Sequence, residues 1–270
     1  MDPRDQPRTK LVCTIGPASI ERVRELIDAG MSVARINFSH GSAEDHKNAI
    51  HTVRATAHQT RRSIAVMADL PGSKIRLADI DGGQAELTVG AGFDLRTDRS
   101  TLAQELQVGD RVLLADGAAE LRVTATSDDG GVETEVVRGG LVRSRSGVSV
   151  PSERLTGAGV TDSDREALER AIELRVDVVA QSFVRSAEDV RSLRELLPAD
   201  APLLVAKIET QAAVGAFEEL VGLVDGVMVA RGDLGVDIPF ADVPVVQKTS
   251  SGAPAHRASS RSWPPRCSNP

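Results

Sequence analysis

The sequence predicts an α/β fold, a (β/α)₈ TIM-type barrel with about six of its eight units present and a small all-β domain inserted between them. Short β-rich runs alternate with amphipathic helical segments, which is the pattern of a parallel sheet with helices outside. The length of 270 residues is usual for such a barrel. A stretch rich in turn residues interrupts the alternation once and indicates the insertion.

Three β/α units are predicted in the first part of the chain. Val23, Leu26 and Ile27 recur at helical spacing, and Gly30 follows at the position of a C-terminal cap. The predicted strands here are 10–15, 32–38 and 63–69, and the predicted helices are 20–29 and about 43–59. We therefore assign residues 1–76 to the first part of the barrel domain.

Residues 77–150 are predicted to form the inserted all-β domain. They contain no convincing long helix, and they contain alternating runs such as Ala85–Val89 and Arg111–Leu114. Asp-Gly pairs indicate turns at 81–83, 116–117 and 129–131.

The β/α alternation resumes over residues 151–248, the second part of the barrel domain. Thr161 and Ser186 each precede an acid by three residues, which is typical of a helix N-terminus. Strands are predicted at 176–181, 203–208 and 226–229.

The composition excludes several classes of protein. With 32 basic and 39 acidic residues, the net charge is −7, which argues against nucleic-acid binding and against binding to anionic membranes. No apolar run reaches the roughly 18 residues of a membrane-spanning helix. The N-terminus lacks the apolar core of a secretory signal, so we expect a cytoplasmic protein. Cys13 and Cys267 cannot form a disulfide framework.

Polar side chains follow the second and third predicted strands. Period-two geometry places Arg35, Asn37 and Ser39 on one face, at the rim where barrel enzymes carry their sites. Asp69 ends the third strand, and with Asn37 and Ser39 it would make an oxygen cage suited to a hard cation. Two alternatives remain open: a strand end that reaches solvent, and an Asp that caps the turn before Pro71.

Three further charged residues follow later strands. Lys207 and Glu209 share a face at the end of an apolar strand, and Asp233 follows the next strand. Glu209 and Asp233 can supply two carboxylates to one Mg²⁺ ion. The alternatives are a structural Lys–Glu pair and a surface turn around Asp233.

Six motifs, in order, resemble those of pyruvate kinase, and the resemblance runs from about Thr9 to Lys248. The matching motifs are Thr9–Ser19, Ala34–Gly41, Asp69–Arg76, Ser182–Arg185, Lys207–Glu209 and Gly226–Pro239. The resemblance implies a glycolytic kinase that transfers a phosphoryl group from phosphoenolpyruvate to ADP, giving pyruvate and ATP. It also implies the homotetramer of the family, although the C-terminal domain that shapes this assembly is expected to be missing here, and it makes the insertion a lid domain that closes over the site.

The resemblance also implies roles for individual residues. Arg35 and Lys207 would be catalytic, since Arg35 would clamp the transferring phosphoryl group and Lys207 would neutralise its charge and that of the enolate. The ligands of Mg²⁺ (or Mn²⁺) would be Glu209 and Asp233, and those of K⁺ would be Asn37, Ser39, Asp69 and the carbonyl of Leu70. The backbone of Gly232 would meet the substrate carboxylate. The nucleotide would face Asn37, His40 and Arg76.

The lid departs from the family pattern at one position. The family shows a Lys-Lys-Gly run whose second lysine reaches the nucleotide, and here Ser146 takes that place, after Arg145 and before Gly147. Asp116 corresponds to the acid of the family's lid.

The last 22 residues, 249–270, are predicted to be an unrelated, disordered tail. They contain no acid, and 14 of them are Ser, Pro, Ala or Gly. The family continues instead with a strand close to Val-Val-Ala-Thr-Gln-Met-Leu-Glu-Ser, and codons for that strand, read one nucleotide out of frame, encode residues 262–270. We therefore hypothesise an out-of-frame tail on a truncated chain that is weakly active or inactive.

Two other functions compete with this one. One is a Mg²⁺-dependent lyase or aldolase that acts on pyruvate-like substrates on a related barrel. The other is a non-catalytic fragment that retains ligand binding.

Overall fold

The computed structural model describes residues 9–127, 130–157 and 159–252. Its strands are β1 (Leu11–Ile15), β2 (Met31–Asn37), β3 (Ala65–Asp69), β4 (Ile75–Arg76), β5 (Gln84–Leu87), β6 (Gly92–Leu95), β7 (Arg111–Leu114), β8 (Ala119–Thr126), β9 (Val132–Arg138), β10 (Gly140–Arg143), β11 (Gly147–Ser149), β12 (Val178–Gln181), β13 (Leu203–Ile208) and β14 (Gly226–Val229). Its helices are α1 (Val23–Asp28), α2 (Ala43–Thr60), α3 (Leu102–Glu105), α4 (Asp162–Glu173), α5 (Ala187–Glu195), α6 (Gln211–Gly215), α7 (Phe217–Val221), α8 (Arg231–Asp237) and α9 (Val243–Gly252).

Six strands form one parallel sheet in the order β1-β2-β3-β12-β13-β14. Sequential strands are neighbours, and helices separate most of them, as expected of successive β/α units. The predicted barrel-type α/β fold is therefore confirmed. Among the described strands, β1 and β14 each pair with one neighbour only, so the sheet has two free edges.

Capping residues explain where the longer helices begin. Ser42, Thr161 and Ser186 each accept a hydrogen bond from the backbone of an Asp three residues later, whose carboxylate accepts from the backbone of the capping residue in return. These capping boxes satisfy amides that the first helical turn leaves free. The predicted helix starts at Thr161 and Ser186 are confirmed.

The core of the parallel sheet lies between its strands and the surrounding helices. Ile50 and Val53 of α2, Leu168 of α4 and Leu193 of α5 have almost no exposed surface. They pack in one cluster with Leu204 and Ile208 of β13. Burying a leucine or isoleucine side chain contributes about 1.5–3 kcal/mol, so this layer holds the helices on the sheet.

A second, antiparallel sheet interrupts the β/α alternation. Its strand order is β4-β11-β7-β8-β9-β6, and β5 pairs with β10 beside it. It has a separate apolar core that includes Val112, Leu114, Leu121 and Val142. The prediction begins the insertion at residue 77, whereas β4 already pairs with β11 at Ile75–Arg76.

Turns in this second sheet follow the Asp-Gly pairs. Gly82, Gly83 and Gly117 have positive φ, which glycine adopts at little steric cost. Asp116 also adopts a left-handed conformation, with φ of 54°. The predicted turn at 129–131 lies partly outside the described residues.

Helix α9 extends into the segment predicted to be an unrelated tail. The helix runs to Gly252, so residues 249–252 continue the fold. The remainder of the predicted tail, 253–270, lies outside the described residues. No described helix combines the length and apolar character needed to span a bilayer.

Candidate active site

The carboxyl ends of β2, β3 and β13 bring together charged side chains that lie far apart in the sequence. Asp69 is buried, and its carboxylate lies 2.6 Å from the Arg35 guanidinium and 3.2 Å from Lys207 Nζ. The Ser182 hydroxyl donates to the same carboxylate over 3.1 Å. A buried carboxylate is costly unless it is paired, and these three partners satisfy Asp69. The alternative in which Asp69 caps a turn is wrong, because its carboxylate binds these three groups instead.

Lys207 lies at the centre of this cluster. Its ammonium lies 2.7 Å from Glu209 Oε1, and it donates to the Ser182 hydroxyl over 2.8 Å. The structural Lys–Glu pair, which was the alternative interpretation of these two residues, is therefore present, but the lysine also contacts Asp69. The ammonium is therefore held among two carboxylates and a hydroxyl, and its side chain is largely buried.

Glu209 combines deep burial with an oxygen that accepts no hydrogen bond. Its side chain is 0% exposed, and Oε2 accepts the Phe183 amide over 2.8 Å. Oε1 is in ion-pair contact with Lys207, but the geometry does not make a hydrogen bond. Burial raises the pKa of Glu209, Lys207 opposes that shift, and the charge of Asp233 adds to it.

Asp233 stands near Glu209 at the start of α8. Both side chains line one cleft between the parallel sheet and the antiparallel domain. Asp233 is 37% exposed, so it presents its carboxylate to solvent. Mg²⁺ is commonly bound through one or two carboxylates, with water and substrate oxygens completing its shell. The carboxylates of Glu209, whose Oε1 is ion-paired with Lys207, and of Asp233, which is partly exposed, are ligands of that type.

The four residues predicted to bind K⁺ lie at the ends of two neighbouring strands, Asn37 and Ser39 at the end of β2 and Asp69 and Leu70 at the end of β3. Asn37 lies opposite Asp69 across β2 and β3, and its side-chain oxygen accepts the Ser39 amide over 3.0 Å. The Leu70 carbonyl and the Asp69 carboxylate both accept from the Ser182 hydroxyl. Strand β2 ends at Asn37, one residue before the predicted end, so Ser39 lies in an exposed turn rather than on the strand face.

The residues predicted to face the nucleotide and the substrate carboxylate are more dispersed. His40 is exposed, and its carbonyl oxygen lies 2.7 Å from the His46 ring nitrogen Nε2. Arg76 lies in β4 of the antiparallel sheet, and its amide donates to Asp98. Gly232 is exposed beside Asp233 in α8. None of these three residues lines the cleft that Glu209 and Asp233 share.

Arg145 and Ser146, where the sequence departs from the family pattern, lie in the turn before β11. The Ser146 hydroxyl accepts the Arg143 amide, and Ser146 carbonyl accepts from Leu77. The Arg145 guanidinium lies 3.5 Å from Asp98 and is 59% exposed. Ser146 therefore closes a turn.

The sequence did not predict a role for two residues, Ser182 in the Lys207 cluster and Lys74 beside Asp233. Ser182, which follows β12, is 3% exposed and contacts Lys207, Asp69 and the Leu70 carbonyl. The rule that strand ends carry the site could have identified it, since it begins one of the matching motifs.

The second missed residue is Lys74. Its ammonium lies 3.0 Å from Asp116 and 3.2 Å from Asp233. Burial lowers the pKa of Lys74, but Asp233 and Asp116 together raise it above its ordinary value, so the ammonium is charged at neutral pH. Lys74 lies inside the Asp69–Arg76 motif but not at the end of a predicted strand, so the pattern of charged strand ends did not indicate it.

The fold defines an α/β barrel-type protein with an inserted all-β domain and a cluster of charged side chains at the strand ends. Residues 6–253 match the family model described as pyruvate kinase, barrel domain. The chain therefore belongs to the pyruvate kinase family.

Curated relatives agree with this assignment. Pyruvate kinase of Mycobacterium tuberculosis is 43% identical over 257 residues, covering 89% of this chain and 54% of the relative. Those of Geobacillus stearothermophilus and Thermococcus litoralis are each 39% identical over 89% of this chain, covering 44% and 54% of the relatives. The chain spans about half the length of the curated relatives it matches.

Proposed function

We propose that the Lys207 cluster is the phosphoryl-transfer site of a pyruvate kinase, which uses phosphoenolpyruvate and ADP to form pyruvate and ATP. The observation that carries the proposal is the position of Lys207, whose ammonium joins Asp69, Glu209 and Ser182 at the strand ends. Catalysis of phosphoryl transfer depends mainly on positioning and on neutralising charge, and this cluster supplies both.

Arg35 and Lys207 are the cations that would meet the transferring group. Arg35 is held by Asp69, and its other guanidinium nitrogen donates to the Thr14 hydroxyl over 2.7 Å. Its side chain is 25% exposed, so part of the guanidinium remains accessible to a phosphoryl oxygen. Lys207 lies deeper, where its charge is less screened by water and acts more strongly on an enolate oxygen.

Glu209 and Asp233 are the proposed ligands of a divalent cation, Mg²⁺ or Mn²⁺. When bound it would act as a Lewis acid on the substrate oxygens. The Phe183 amide donates to Glu209, and Asp233 lies in the first turn of α8, where its carboxylate accepts from Lys74. K⁺ is proposed at Asn37, Ser39, Asp69 and the Leu70 carbonyl, where all donors are oxygens suited to a hard ion.

The antiparallel domain would act as the lid over this cleft. It contributes Val148, Ser149 and Val150 to the lining, while Glu209, Thr210 and Asp233 come from the parallel sheet. Apolar walls from the lid would exclude water and so strengthen the charges below. His40, Arg76 and Asn37 remain the proposed nucleotide side of the site, and the Gly232 backbone the proposed carboxylate contact.

Calorimetric titration of phosphoenolpyruvate, with Mg²⁺ and K⁺ present, tests the proposal. Lys207→Met removes the central ammonium, and we expect it to weaken binding at least about tenfold, equivalent to roughly 1.4 kcal/mol. Lys47→Met is the matched control, because Lys47 is an exposed lysine on α2 with only a 4.0 Å contact to Glu44. Equal binding by all three proteins would contradict the proposal.

A further inference from the structure

A hydrogen bond connects the two segments that carry the proposed ligands of the divalent cation. Asp237, at the end of α8, accepts the Gln211 amide over 2.5 Å through its Oδ2 atom. Gln211 begins α6, two residues after Glu209, and Asp237 lies four residues, roughly one helical turn, after Asp233. The bond therefore joins the segment that carries one carboxylate to the helix that carries the other.

The first turn of α6 takes its hydrogen-bond acceptors from separate parts of the chain. The Ala212 amide donates to the Ser152 hydroxyl over 3.1 Å. The Ala213 amide donates to the Thr210 hydroxyl over 3.0 Å. First-turn amides have no acceptor within their own helix, so the position of this turn depends on groups outside it. Among these acceptors, Asp237 is the one that belongs to α8.

Asp237 lies in the same cleft as the proposed ligands, which it lines together with Glu209 and Asp233. Burial raises the pKa of Asp237, and hydrogen bonds from the Gln211 amide and from Ser152 oppose that shift. A hydrogen bond that is partly shielded from water is electrostatically stronger than one in solvent. This bond is therefore suited to holding α8 and the start of α6 in a fixed arrangement.

We propose that Asp237 is a positioning residue of the divalent site, which holds α8 against the start of α6 and thereby fixes the spacing of the Glu209 and Asp233 carboxylates. This inference rests on the proposed function, because it assigns those two carboxylates to the metal. Asp237 acts through the backbone and not by contacting the cation. Groups that orient metal ligands commonly change metal affinity about 10–100-fold, so the loss of this bond should be measurable.

Gln211→Pro removes the hydrogen bond and leaves every charge in place. Proline has no amide hydrogen, and it is well tolerated at the first position of a helix. Thr210, the residue before it, already has the extended conformation that a following proline requires, with φ of −129° and ψ of 153°. Gln211→Ala is the matched control, because it keeps the amide and changes only an exposed side chain.

Binding of Mn²⁺ without substrate, followed through the free-ion signal in electron paramagnetic resonance, measures the effect. We expect Gln211→Pro and Asp237→Ala each to weaken Mn²⁺ binding at least fivefold, and Gln211→Ala to bind like the unmodified chain. The spectrum of the bound ion should change in the first two variants, because the carboxylates around it are displaced. A loss of folded protein would instead reduce the number of ions bound per chain and leave the affinity and spectrum of the remaining sites unchanged.

Two results would overturn the proposal. One is Gln211→Pro with the Mn²⁺ affinity of Gln211→Ala, because weaker binding by Asp237→Ala alone would be a general effect of charge. The other is a fall in the number of ions bound per chain without a change in affinity, because the role of Asp237 would then be structural only.

A further variant separates this inference from the proposed function. Glu209→Gln is expected to abolish Mn²⁺ binding, because it removes the buried ligand. If Glu209→Gln binds Mn²⁺ normally, the assigned metal site is wrong. If it abolishes binding while Gln211→Pro leaves affinity unchanged, the metal site stands and only the role of Asp237 fails.

Discussion

At the scale of single residues, the Asp69 carboxylate joins side chains that follow three different strands of the parallel sheet. Arg35 comes from β2, Ser182 follows β12 and Lys207 comes from β13. Because the carboxylate is buried, its charge is compensated only by these neighbours. It therefore orients both of the cations that the proposed reaction uses.

Asp69→Asn is expected to destabilise the protein by about 3 kcal/mol, because it leaves two partly buried cations without their shared carboxylate. Urea unfolding followed by circular dichroism measures the change. Asp28→Asn, at an exposed position that ends α1, is the control and should stay within about 0.5 kcal/mol. A midpoint for Asp69→Asn equal to that of the control would contradict the assigned role.

The sequence predicted most of the residues of the Lys207 cluster, but it did not predict which of them contact each other. Arg35, Asp69, Lys207 and Glu209 could be predicted because each ends a recognisable strand, where a barrel carries its site. Their mutual pairing could not, because it depends on which strands are neighbours. Ser182 was missed for the same reason: alone, a serine after a strand is unremarkable, and only the fold brings it to Lys207.

At the scale of elements, the strands with clear sequence limits were predicted most accurately. β13 and β14 have the predicted bounds, since each is a mainly apolar run, preceded by Pro202 in one case and by Asp225 in the other. β2 ends one residue early, because the Ser39 amide turns back to the Asn37 side chain. The predicted start of the insertion differs because Ile75 and Arg76 find their partners in β11, far along the chain.

Gly72 is favoured both by its left-handed backbone and by packing between elements. Gly72 follows β3 with φ of 72°, and a Cβ there would lie 2.7 Å from the Ser182 Cβ. The turn after Asp69 thus lies directly on the segment after β12. The sequence showed a Pro-Gly turn at this point but not the surface against which it packs.

Glu105 of α3 makes the stability of the antiparallel domain dependent on pH. Burial would raise the pKa of Glu105, but hydrogen bonds from Arg99 and Thr156 outweigh it and lower the pKa to about 2. A carboxylate with a depressed pKa stabilises the fold above its unfolded pKa, near 4.5, and that stability is lost as the pH falls toward 2. We therefore expect up to about 3 kcal/mol to disappear across this range.

Urea unfolding of the unmodified chain and of Glu105→Gln, at pH 6 and pH 3, checks this expectation. The variant should be less stable at pH 6, and its stability should fall less between the two values. Glu188→Gln on the exposed face of α5 serves as the control, with a pH dependence like that of the unmodified chain. Parallel curves for Glu105→Gln and the unmodified chain would contradict the assignment.

At the scale of the whole molecule, the site lies where two independently packed sheets meet. The parallel sheet supplies the charged strand ends, and the antiparallel domain supplies the wall above them. Lys74 and the segment 151–157 lie where the chain passes into and out of the antiparallel domain. The proposed site explains why charged residues, which are costly to bury, occur together at the carboxyl ends of the parallel strands.

The central claim is that these strand ends form one site for phosphoenolpyruvate and a divalent cation. The most direct test is the dependence of phosphoenolpyruvate binding on Mn²⁺, measured by calorimetry with the metal present and with it removed by a chelator. We predict at least tenfold tighter binding with Mn²⁺ in the unmodified chain and no metal dependence in Glu209→Gln. Binding that is equally strong with and without Mn²⁺ in the unmodified chain would contradict the claim.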